Sequence, residues 1–155
     1  MTSHSTVASA GSFRLGWMLV LVVGALAALA GLYVLAVPVD EGQFASATGV
    51  VWSEFSAGNP DVAANIEFLN RLLGIASVAF AAFALAVTWG WLRMADPRAA
   101  RVMWILPLAI GAWAVLFLAD GGAAISTFYL AMTIAAVAGL LLVMRTIRQP
   151  RSSTT

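Results

Sequence analysis

The chain has 155 residues, of which 62% are hydrophobic and only 10% charged, with a net charge of +1 at neutral pH. A soluble domain of this length is about a quarter charged, so the chain lacks the polar groups to cover a water-facing globule. The near-neutral balance excludes bulk attraction to nucleic acid, and the absence of cysteine excludes disulfides, thiolate metal sites and thiol nucleophiles.

Residues 1–12 are small and polar without an apolar period, and are expected to form a disordered tail that holds the single histidine, His4. From Leu15 to Val37 runs an uncharged stretch of 23 residues that Pro38 ends. At about 1.5 Å per residue it is long enough to cross a hydrocarbon core of about 30 Å. Arg14 before it and Ala45-Ser46-Ala47 after it resemble a cleaved signal. However, signal cores span only about 7–15 residues, so the stretch reads as a retained span. Residues 38–59 form the only sizeable connection, and Val50, Val51, Trp52 and Phe55 make it too apolar for a solvated loop. It is expected to fold onto the bundle or lie in the interface.

Asn59-Pro60-Asp61 has the form of a helix start, with a capping residue, proline in the first turn and an acid beside it. The second helix then runs from Pro60 to about Met94, with its membrane span at about 68–92. Asp96-Pro97 repeats the signature, and the third span covers Val102 to Ala119 with a bend expected at Pro107. Asp120-Gly121-Gly122 reads as a turn, and the fourth span follows from Ala123 to Met144. Residues 148–155 form a second polar tail. The predicted fold is therefore all-α, an integral membrane four-helix bundle occupying 13–147.

Orientation follows from the arginines, which supply every basic side chain. With the N-terminus inside and four spans, Arg14, Arg93, Arg98, Arg101, Arg145, Arg148 and Arg151 all fall on the cytoplasmic side, leaving only Arg71 outside. The positive-inside rule therefore predicts cytoplasmic N- and C-termini and an outer loop between the first two spans. Three spans would split the arginines between both sides. The use of arginine without lysine, with abundant Ala, Gly and Val, resembles the coding habit of a GC-rich bacterium, so the expected location is a bacterial inner membrane.

Lipid tails compete equally for apolar surface, so small residues mark helix contacts. Such stripes are Gly24-x3-Ala28 and Ala27-x3-Gly31 in the first helix, Gly74, Ser77, Ala81, Ala84 and Thr88 in the second, and Ser126, Tyr129, Thr133, Ala136 and Gly139 in the fourth. Trp17, Trp89, Trp91 and Trp104 suit an aromatic belt at the cytoplasmic ends.

Ionisable groups deep in a membrane are costly and usually functional, and here every acid lies at a helix end or in a loop. Proton-coupled transport through a mid-helix carboxylate is therefore disfavoured. No metal-ligand spacing or glycine-rich phosphate loop is present, and no cofactor or metal is expected. One constellation stands out at the outer end of the second helix: Glu67, Asn70 and Arg71. Glu67 and Arg71 are four residues apart and share a face. An ion pair snorkelling to water is the plainer reading. The functional one is an outward-facing polar pocket in which Arg71, with Tyr33, Asp120, Ser126 and Tyr129 at similar depth, holds an anionic headgroup or a polar small molecule.

The run Asn70-Arg71-x2-Gly74 opening a second helix, in a chain of four spans with a folded first loop, resembles the broad DoxX-like group of small bacterial membrane proteins. The resemblance covers the topology and residues 60–122, and implies structural or pocket roles for Asn70, Arg71 and Gly74. Some members are associated with quinone-linked sulfur oxidation, whereas most have no assigned activity. The reading favoured by the residues is a non-enzymatic accessory subunit or a binder of lipid or a small ligand. Its expected partners are membrane lipid and a membrane protein or second copy. The alternatives are a quinone- or lipid-linked membrane enzyme, with Glu67 or Asp120 as acid or base, and a small transporter.

Overall fold

The computed structural model describes the backbone of residues 3–119 and 122–148 and the side chains from residue 11 onward. Among the described residues every regular element is helical. In chain order these are α1 (Ser3–Ala36), α2 (Glu41–Thr48), α3 (Trp52–Gly58), α4 (Pro60–Gly90), a 3-10 turn (Leu92–Met94), α5 (Pro97–Val102), α6 (Ile105–Ala119) and α7 (Ala123–Arg148). Four segments, Gly11–Ala36, Pro60–Met94, Pro97–Ala119 and Ala123–Arg148, are long and apolar enough to cross a membrane. This is the make-up of a multi-pass membrane protein. Its surface agrees: Leu29 on α1, Phe68 on α4, Leu108 and Val115 on α6 and Ile134 on α7 are all more than half exposed. In water such a surface would aggregate, whereas lipid tails solvate it.

Three boundaries differ from the sequence expectation, each for a local reason. Helix α1 begins at Ser3, inside the stretch expected to be disordered. Residues 3–13 contain no proline, so nothing stops a helix nucleated by the apolar span from propagating outward. The third span is broken rather than bent. Pro107 has no N–H to offer the Met103 carbonyl, and its ring crowds that group. The chain opens at Met103–Trp104, and the Met103 carbonyl accepts the Leu106 N–H at 3.1 Å instead. At Asn59 the backbone position is that of a cap, but the side chain donates back to the Phe55 carbonyl at 3.2 Å and leaves α4 uncapped. Asp96 does cap α5, accepting the Arg98 N–H at 2.7 Å.

Helix α1 is the centre of the assembly, packed against α4 on one side and α7 on the other, and α6 packs against α7. Helices α4 and α6 do not pack along their lengths, so the order across the bundle is α4, α1, α7, α6. The close contacts sit at opposite ends of α1. Near its start, a Cβ on Gly16 would lie 2.6 Å from the Gly139 carbonyl oxygen, and one on Gly139 would lie 2.7 Å from that of Gly16. Near its end, a Cβ on Gly74 would lie 3.1 Å from the Gly31 carbonyl oxygen and 2.9 Å from Leu35 Cγ. Of these four glycines, only Gly16 lies outside the expected stripes.

The two ends of the bundle consequently differ. Toward the arginine-bearing end the interior is filled by Val20, Leu92, Met103, Leu106, Leu140 and Val143, all fully buried. Trp17 meets Trp89 edge-on at 6.4 Å, and the Arg93 guanidinium lies 4.6 Å from the Trp89 ring centre. The other end, which carries α2 and α3, has no comparable filling. The difference between Gly16 and a glycine in open space is testable. Gly16→Ala should lower the unfolding midpoint in mixed detergent, with an overpacking cost of about 1–3 kcal/mol. Gly90→Ala, whose Cβ meets nothing within 4 Å, should leave the midpoint unchanged or slightly raised. Equal loss in both variants would contradict the α1–α7 contact.

Candidate functional site

Because α4 and α6 stay apart, the space between them holds a cavity of about 520 Å³ in the half of the bundle nearest α2. That lies within the usual range for a small-molecule site. Small side chains create it: Ala27 and Ala30 on α1, Ala76 and Ser77 on α4, and Ala109 on α6. The bulkier wall residues are Val34, Leu73, Phe80, Ile110, Trp113, Phe117 and Tyr129. The last wall is an aromatic ladder, with Trp113 and Phe117 centred 5.8 Å apart and Phe117 stacked on Tyr129 at 5.3 Å and 12°. The buried Ser126 hydroxyl donates to the Ala114 carbonyl at 2.8 Å and ties α7 to α6 behind this ladder.

The mouth is polar. Tyr33, Asp40, Gln43 and Asn70 line it, with Phe44 beside them. Asp40 is fixed from two directions. Its Oδ1 accepts the Gln43 N–H at 2.9 Å, which caps α2, and its Oδ2 accepts the Tyr33 hydroxyl at 3.0 Å, which joins α2 to α1. The Gln43 N–H first, and then the Tyr33 hydroxyl, hold the Asp40 carboxyl below its ordinary value of 3.8, so it is ionised at neutral pH. Phe44 of α2 packs with Trp52 and Phe55 of α3, with Phe44 and Trp52 centred 4.9 Å apart. Val50 and Val51, expected to share that cluster, are exposed instead. Val51 occupies the extended position before α3, outside the helical face that Trp52 and Phe55 share.

The structure divides the expected site residues. Tyr33, Asn70 and Tyr129 line the cavity, and Glu67, Arg71 and Ser126 do not. The helical period explains the split on α4. Asn70 shares a face with Leu73 and Ser77, which point into the cavity, whereas Arg71 shares a face with Glu67. The Arg71 Nη2 to Glu67 Oε2 distance is 4.0 Å and the Arg71 side chain is 57% exposed, so the pair is a surface contact of small energetic weight. Ser126 is spent on the α6–α7 tie. Asp120 lies outside the described residues. Gly74 serves the contact with α1.

Asp40, Gln43, Phe44, Phe80, Trp113 and Phe117 belong to the cavity and were not among the expected site residues. For the first two a signal existed: Asp40-Glu41-Gly42-Gln43 has the spacing of a capping box and marks a fixed carboxylate. Trp113 and Phe117 are an i, i+4 aromatic pair, but no local pattern tells that they face a void. Among the described residues no group of three His, Cys, Asp or Glu could hold a metal ion. Comparison with protein-family models, curated proteins and solved structures finds no significant match for this chain.

Proposed function

We propose that this protein is a non-enzymatic binding protein of the bacterial inner membrane that holds one membrane-resident amphiphile in the cavity between α4 and α6. The observation that carries the proposal is the joining of an apolar shaft to a hydrogen-bonding mouth in one cavity. Apolar walls with a few placed polar groups are the usual make-up of a small-molecule site, and here they follow the polarity of a lipid-like molecule. Arg14, Arg93, Arg98, Arg101, Arg145 and Arg148 support an orientation with both termini in the cytoplasm and the mouth outside.

An enzymatic role at an Arg71 anion site has less support, because Arg71 and Glu67 face away from the cavity. A distant relation to the DoxX-like group belongs to the same proposal, and rests on Asn70 at the mouth and Gly74 at the helix contact.

Native mass spectrometry of protein purified in mild detergent should find one co-purified amphiphile per chain. Ala76→Trp fills the shaft from a position with room for a larger side chain, and should lose that mass without a lowered unfolding midpoint. Wild-type protein that emerges bare from several mild detergents would overturn the proposal. Because the chain has no cysteine, single-cysteine variants report orientation directly. Ser53→Cys should react with a membrane-impermeant maleimide in intact cells, and Ser152→Cys only after lysis. The reverse pattern would place the mouth in the cytoplasm.

A further inference from the structure

The mouth of the cavity bears a fixed negative charge and no positive one. Asp40 is ionised and anchored, and the Gln43 N–H, the Tyr33 hydroxyl and the Gly42 N–H do not use all of the roughly four lone-pair sites of a carboxylate. Its charge also occupies the N-terminus of α2, whose backbone N–H groups would otherwise attract an anion. Beside it at the mouth stand Tyr33, whose hydroxyl it accepts, and Phe44, and aromatic faces attract cations. The wider field has the same sign. Glu41, Glu54, Asp61 and Glu67 lie at this end of the bundle, and among the described residues Arg71 is the sole base there, with its guanidinium turned to Glu67.

We infer that the ligand is an organic cation with an apolar body, whose ammonium or other positive head lies at Asp40 while its body fills the shaft between Phe80 and Trp113. The inference rests on the binding role proposed above and narrows it to one class of amphiphile. An anionic lipid meets the carboxylate at the mouth and is rejected. A neutral amphiphile gains the shaft but not the charge.

The test uses the full chain in zwitterionic lipid nanodiscs and three probes with one tail: dodecylammonium, dodecanol and dodecanoate. Binding is read by native mass spectrometry. The ammonium probe should bind about two- to fivefold tighter than dodecanol, with dodecanoate weakest, as a contact with an exposed carboxylate allows. Asp40→Asn keeps a good helix cap and should remove the preference while dodecanol still binds. Glu54→Gln removes a charge from the same end, outside the cavity lining, and should retain the preference. Three probes bound equally by the wild type, or a preference that survives in Asp40→Asn, would overturn the cationic assignment and leave the amphiphile site standing. Binding of none of them, or binding untouched by Ala76→Trp, would remove the site itself.

Discussion

Two backbone contacts, Gly16 with Gly139 and Gly31 with Gly74, determine where every other part of this molecule lies. In a bilayer, apolar surface alone does not hold helices together, because lipid offers each helix an equally apolar neighbour. Hydrogen bonds between helices add only about 0.6 kcal/mol each on average. Among the described residues the hydroxyls of Thr88, Thr127, Thr133 and Thr146 turn back to their own helices, and α7 is tied by Ser126 to Ala114 of α6 and by Met144 to the Trp104 indole N–H just before α6. Close backbone approach, and the dispersion it brings, is therefore the main attraction available. Helix α1 takes part in both contacts, and α4 and α6 have no such contact with each other.

The cavity is the geometric consequence. Where α1 meets α7 through glycine, Val20, Met103, Leu106 and Leu140 close the interior completely. Toward the opposite end α1 turns its glycine contact to α4, and α6 packs mainly against α7. Larger residues at positions 27, 30, 76 and 109 would fill the remaining space, but the chain has alanine at each. The cavity owes its depth to those four side chains, and its polarity gradient to a separate device, the capped start of α2. The same Asp40 that terminates the chain reversal after Pro38 provides the charge at the mouth, so one residue serves local folding and recognition together. No buried side-chain polar atom among the described residues lacks a hydrogen-bond partner, so the core is satisfied without a ligand.

The membrane-crossing helices were legible because lipid imposes a long, uncharged, apolar run on each, and Leu15 to Val37 or Ala123 to Met144 can mean little else. Packing was partly legible: Gly74, Ala81, Ala84, Ala136 and Gly139 are buried as their stripe implied. Which helix each stripe meets was not, since a small residue advertises closeness and not a partner. The site was the least legible part. Arg71 attracted notice as the odd charge of its side, yet a residue's rarity says nothing about the direction its side chain takes, and one step of 100° separates it from Asn70. Trp113 and Phe117 look like any aromatic residues of an apolar helix until the missing α4–α6 contact is known.

That missing contact, and a guest in the space it leaves, can be observed in living cells. A photoreactive benzoylphenylalanine in place of Trp113 sits in the cavity wall, and one in place of Val115 sits on the exposed face of the same helix. After irradiation, the first should carry a single small-molecule adduct of defined mass and the second the mixed phospholipids of the bilayer. Identical lipid mixtures at both positions, or a cross-link from position 113 into α4 with no adduct, would show that the helices close on each other and hold nothing between them.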